Sequence, residues 1–170
     1  MKNFTIYLKK LTISTLAFIL ILFLSHSLIS QNLIDFNQVL NQETYKKSSN
    51  TEYQSLKSYY VDYTPSLLIG NEKTQKSDPL TCRVADISIS NLDKLYEKNP
   101  DYSEVEFLKI YVKQNDKSQN LDISALSQFE KLKHILFEFD YNININEINN
   151  LIRNYSKSPV SIYYYISIPN

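Results

Sequence analysis

The sequence predicts an α/β domain with a parallel sheet, and three observations lead there. Phe107-Leu-Lys-Ile-Tyr-Val-Lys113 reads as a strand, and Ile135, Phe137 and Phe139 recur every two residues, the spacing of one strand face. Between them Ile123, Leu126, Phe129 and Leu132 recur every three, the spacing of a short helix or 3₁₀ turn. A strand, a helical return and a second strand form a parallel pair, because parallel strands need a crossover of about a dozen residues or more. The third observation is a period. Val84, Ile87, Ile89 and Leu92 have the same spacing as Phe107, Ile110, Val112 and Asn115, and as Leu132, Ile135, Phe137 and Asp140. Pro159, Ile162, Tyr164 and Ser167 keep the middle two positions, so the units are separated by 23, 25 and 27 residues.

Taken in order, residues 1–30 read as a secretory signal. Lys2, Lys9 and Lys10 precede an apolar core from Leu16 to Leu24, and Ser25 to Ser30 is polar, with Gln31 as the new N-terminus. The alternative is an uncleaved anchor. Leu11 to Ile29 is 19 residues without charge, close to the ~20 that span a bilayer.

Residues 31–79 read as a polar, tyrosine-rich and partly disordered segment. Leu33, Phe36, Val39 and Leu40 mark a short amphipathic helix at its start. Tyr45, Tyr53, Tyr59, Tyr60 and Tyr63 interrupt loop-like composition, and the apolar run within 65–70 suits an edge strand. The ordered body is expected over 80–170. Val84, Ile87 and Ile89 have strand spacing; Leu92, Leu95 and Tyr96 have helical spacing, with Asn91 as N-cap. Pro100 breaks the chain before the central strand. Ile145, Ile148, Leu151 and Ile152 predict a helix of about three turns, and 160–168 is the last strand.

A strand and a short helical return at this period form the leucine-rich-repeat pattern. Asp122-Ile-Ser-Ala-Leu126, followed by Phe129, Leu132, Ile135 and Phe137, resembles the bacterial internalin-type repeat of that family. Asn115 stands where the family places an asparagine ladder; Leu92, Asp140 and Ser167 replace it in the other units. The resemblance implies a solenoid of about four units that binds a partner on its sheet face. The competing architecture is a compact four-stranded α/β domain.

Composition excludes several chemistries. Gly70 is the only glycine, so no glycine-rich phosphate loop is possible. Cys82 is the only cysteine, so there is no intrachain disulfide and no cysteine-based zinc cluster; a buried thiol is expected. From Gln31 onward 15 Lys and Arg oppose 18 Asp and Glu, an acidic balance that argues against nucleic acid. His134 reads as a surface histidine, and Asp101, Glu104 and Glu106 read as a solvated strand entrance.

No nucleophile–base set stands out, so no catalytic residue, cofactor or metal site is assigned. The expectation is an exported, non-enzymatic binding domain, or else a structural envelope protein held by its N-terminal helix. Strand alternation puts Asp86 and Ser88, then Lys109, Tyr111 and Lys113, then Leu136, Glu138 and Asp140, then Tyr163 and Tyr165 on one face. Lys109, Tyr111, Lys113, Glu138, Tyr163 and Tyr165 are the candidate contacts for a protein or glycan partner, because tyrosines among mixed charges suit such surfaces.

Overall fold

Parallel strands in register make up most of the computed structural model, which describes residues 33–41, 51–62, 64–70, 75–76, 81–116, 119–155 and 159–168. The expected signal at 1–30, including Leu11 to Ile29, lies outside the described residues, as do Tyr45 and Tyr63. The described elements are β1 (Ile34–Asp35), α1 (Phe36–Asn41), α2 (Thr51–Val61), β2 (Ser66–Ile69), β3 (Gln75–Lys76), β4 (Val84–Ser88), β5 (Phe107–Val112), β6 (Leu121–Asp122), β7 (His134–Phe139), α3 (Ile145–Asn150), β8 (Ile152–Arg153) and β9 (Ser161–Ile166).

Seven strands form one sheet in the order β1-β9-β7-β5-β4-β2-β3. Every pairing in it is parallel except β2 with β3. From β2 to β9 the large strands follow chain order, as the strand–return–strand units require. The returns from β4 to β5 and from β5 to β7 contain 3₁₀ segments, at Ile89–Tyr96, Pro100–Glu104 and Ile123–Ala125, whereas the return from β7 to β9 contains α3 and β8. A second, two-stranded parallel sheet pairs β6 with β8.

The three-residue spacing has a direct backbone cause. The Leu126 N–H donates to the Ile123 carbonyl, Phe129 to Leu126, and Leu132 to Phe129, at 3.2, 3.0 and 3.1 Å. Each such turn returns the next apolar side chain to the same side. All four are buried, and Phe129 stacks on Tyr102 of the preceding return at 4.6 Å. Asp122 starts the series by accepting from the Ser124 N–H at 2.9 Å. Asn154, the one non-glycine residue at positive φ (57°) among those described, donates its side chain to Asp122 at 3.0 Å and so links two units. Asparagine tolerates the left-handed region better than most residues.

Three expectations change. The first is register. Val84, Phe107, His134 and Ser161 are cross-strand neighbours, as are Ile87, Ile110, Phe137 and Tyr164. The later units are therefore separated by 27 residues each, and Ile110, not Val112, lies opposite Phe137. Leu132 closes the run of turns instead of opening the strand. The displacement is two residues, so the same side chains keep the same faces. Second, Asn91 is no N-cap; it sits inside the 3₁₀ helix at a kink (φ −112°, ψ 17°). Third, α3 has only six residues, because β8 begins at Ile152 to pair with β6. Its start carries a full capping box between Asn144 and Glu147. Asn115 is exposed in the 3₁₀ turn Gln114–Asp116, so it forms no inward ladder.

The described residues of 31–79 join the domain. β1 pairs with β9 at one edge, and β2 and β3 lie at the other. Both helices then lie on one sheet face, where Phe36, Val39, Tyr53, Leu56 and Tyr59 pack on Val84, Phe107, Leu136 and Tyr163. The larger core fills the opposite face, where Ile87, Ile110, Ile135, Phe137 and Phe139 meet the returns. Cys82 is buried, as expected.

Phe137 is fully buried at the centre of that core. Phe137→Ala is expected to cost about 3–5 kcal/mol, the range for a buried phenylalanine. Denaturant unfolding measures it, and an unchanged midpoint would reject the central position of this ring.

Candidate functional site

The face under the helices is laid out in rows, because parallel strands in register bring equivalent residues side by side at about 4.8 Å. The first row is Val84, Phe107, His134 and Ser161; the second is Asp86, Lys109, Leu136 and Tyr163; the third is Ser88, Tyr111, Glu138 and Tyr165. Helix α2 covers the first row. Tyr59 stacks on Phe107 at 5.7 Å and 25°. Phe36 of α1 closes the second row at its β9 end, meeting the Tyr163 ring at 5.7 Å. The third row stays partly open: Tyr111 is 37% exposed, and Glu138 and Tyr165 are half-buried.

The helix is fixed at the strand entrances by Glu106. Its carboxylate accepts from Arg83 Nε at 2.7 Å, from Lys133 Nζ at 2.6 Å and from the Tyr59 hydroxyl at 3.2 Å. Arg83 also lies over the Tyr59 ring, 5.5 Å from its centre. Burial alone raises the pKa of Glu106, but the hydrogen bonds from Lys133 and Arg83 outweigh it and hold the carboxyl below its ordinary range. A cleft of about 540 Å³ opens beside this cluster, lined by Thr51, Ser55, Tyr59, Glu106, Lys133 and His134, among others. His134 itself is buried between the rings of Phe107 and Tyr163. It is not a surface histidine, because α2 covers its row. Glu106 is likewise buried and clamped, not solvated; Glu104 does pair on the surface, with Lys131 at 2.6 Å.

The open row has its own network. Lys109 Nζ lies 2.7 Å from Asp86 Oδ1, and the Tyr111 hydroxyl donates to the same oxygen at 3.3 Å. Tyr60, from α2, meets Tyr165 edge-to-face at 5.9 Å. Glu138 stands between Tyr111 and Tyr165 as the direct cross-strand neighbour of each. Burial raises its pKa above the ordinary glutamate range; Asp86 adds to the rise and Lys109 opposes it. Burial also pushes the Tyr60 and Tyr111 hydroxyls up, and the charges of Glu138 and Asp86 add to this.

Four of the six residues singled out in the sequence therefore gather here: Lys109, Tyr111, Glu138 and Tyr165. Tyr163 does not take part, being buried under Phe36, and Lys113 lies exposed beyond the end of β5. Tyr60 was missed. Its signal is the helical spacing of Tyr53, Leu56, Tyr59 and Tyr60 inside a polar stretch. Among the described residues, no group of three or more His, Cys, Asp or Glu gathers to hold a metal.

No family model, curated protein or solved structure matches the chain.

Two glutamates with opposite shifts give opposite predictions. The lowered pKa of Glu106 means its stabilisation is present above the ordinary glutamate range and is lost as pH falls through the folded value. Glu106→Gln is expected to cost about 1–2 kcal/mol at neutral pH, the worth of hydrogen bonds to a charged group reduced by solvent at the two cations. The cost should vanish in acid. The raised pKa of Glu138 means its ionised form destabilises, increasingly as pH rises through that raised value. Glu138→Gln is expected to leave the melting temperature unchanged or higher at neutral pH. Thermal unfolding of both variants between pH 3 and 7 checks the signs.

Proposed function

We propose that this protein is an exported, non-enzymatic binding domain, built as a short leucine-rich-repeat-like solenoid, that captures a protein or glycan partner on the open row of its sheet face. The observation that carries this reading is the incomplete cover of that face. The helices bury the first row and part of the second, and leave Tyr111, Glu138 and Tyr165 in contact with solvent around a buried Asp86–Lys109 pair. A rigid sheet presenting tyrosines beside charges matches the composition of protein interfaces, where aromatic anchors carry most of the energy. Parallel strands in chain order, joined by short helical returns of which two are 3₁₀, support the repeat reading, since stacked units bury the faces they cannot bury alone. Export rests on the sequence of residues 1–30, and exported material is expected to begin at Gln31.

Capture of partners from the organism's surface fraction tests the site. Tyr111→Ser with Tyr165→Ser is expected to leave the melting temperature within a few degrees of the native protein and to remove capture. Tyr163 is left intact, because its loss would unseat Phe36. Capture retained by the folded double variant would move the binding site elsewhere on the domain.

A further inference from the structure

The open row carries a carboxylate that no described residue hydrogen-bonds or pairs with directly, although the charge of Lys109 acts on it from nearby. Asp86 is engaged by Lys109 and by the Tyr111 hydroxyl. Glu138 accepts no hydrogen bond and joins no ion pair among the described residues. A half-buried carboxylate is costly without a partner, and a folded chain usually pairs it or replaces it with glutamine or an apolar residue. Leu136, two residues earlier on the same strand face, shows that apolar residues fit this face. Positions that break a local rule in this way are characteristic of functional sites.

The surroundings define what fits Glu138. Tyr111 and Tyr165 flank it at the cross-strand distance, and Tyr60 reaches the same row from α2, set edge-on to Tyr165. Asp86 adds a second carboxylate nearby, so the group of Asp86, Lys109 and Glu138 has one negative charge in excess. Aromatic faces attract cations, and a carboxylate among them supplies the counter-charge. An anionic or purely apolar partner would leave Glu138 buried and still unpaired. Resting on the binding role proposed above, we infer that Glu138, with Tyr60, Tyr111 and Tyr165 around it, is the receptor for a basic side chain, arginine or lysine, presented by a protein partner. Arginine fits best, since its planar guanidinium can pair with the carboxylate and lie against a tyrosine ring at once.

Matched sets of immobilised dodecapeptides that differ only at the central residue provide the test, with arginine, lysine, citrulline or glutamate at that position. The full chain is expected to bind arginine and lysine peptides, and Glu138→Gln to weaken that binding about tenfold, which is about 1.4 kcal/mol. Binding should also fall with added salt, and citrulline peptides should bind the native protein no better than arginine peptides bind the variant. The melting temperature of Glu138→Gln confirms its fold independently.

Equal capture of arginine and citrulline peptides, lost in the Tyr111→Ser, Tyr165→Ser double variant, would overturn the inference and leave the binding face standing. So would capture of glycans alone, lost in the same variant. A preference for arginine that survives both Glu138→Gln and the double variant would overturn the inference and the binding face together. Capture of none of the peptide sets would also overturn the inference, while the partner-capture experiment decides on the face.

Discussion

The Glu106 carboxylate holds together parts of the chain that are far apart in sequence. It sits at the entrance of β5, directly before Phe107, and Arg83 and Lys133 stand at the equivalent positions before β4 and β7. One carboxylate therefore bridges three strand entrances through side chains. The backbone repeats the pattern, because the N–H groups of Glu106 and Phe107 donate to the Arg83 carbonyl and those of Lys133 and His134 donate to the Glu106 carbonyl. Its remaining hydrogen bond, from Tyr59, fixes α2 to the sheet. A buried charge with fewer partners would cost more than it returned. With two cations and a hydroxyl around it, this one sets both the register of the central strands and the place of the helix over them.

The position of α2 in turn decides which part of the sheet face meets solvent. The segment before β4 supplies β1 to one edge and β2 to the other, so the chain must cross the sheet between them. It crosses on the face opposite the main core, with α1 and α2 packed against the first two rows. That route protects an edge that a parallel sheet would otherwise leave open to other chains. It also narrows the accessible surface to the row of Ser88, Tyr111, Glu138 and Tyr165. The partial cover of the face and the edge protection thus follow from one segment, which supplies none of the central strands β4, β5, β7 and β9.

Much of the fold was legible because it rests on local periods. Spacing of two marks Ile135, Phe137 and Phe139 as one strand face, and spacing of three marks Ile123 to Leu132 as a series of bonded turns. The period revealed parallel units. Register was less legible, since the length of each return sets it, and matching Leu132 with Phe107 slid β7 by two residues. That slip concealed the Glu106 cluster. In the true register Arg83, Glu106 and Lys133 occupy equivalent positions with alternating charge, a pattern plain in the sequence once the units are aligned. The parity of each face survived the slip, so Tyr111, Glu138 and Tyr165 were placed on the correct side. His134 and Tyr163 share that side, yet both are buried, because only the tertiary path of α1 and α2 distinguishes a covered row from an open one. The helix itself hid in a polar segment where Tyr53, Leu56, Tyr59 and Tyr60 supply its apolar face.

The central claim is that the chain's own N-terminal helices cover part of the sheet face and leave the Glu138 row open. Proton–proton NOEs between assigned tyrosine and phenylalanine rings test it most directly. The account predicts contacts from Tyr59 to Phe107 and from Phe36 to both Tyr60 and Tyr163, with centroids 4.9 to 5.7 Å apart. It also predicts no contact from Tyr59 to Phe137, which lies on the opposite side of the sheet. Absence of the Tyr59–Phe107 and Phe36–Tyr163 contacts in the folded protein would contradict it.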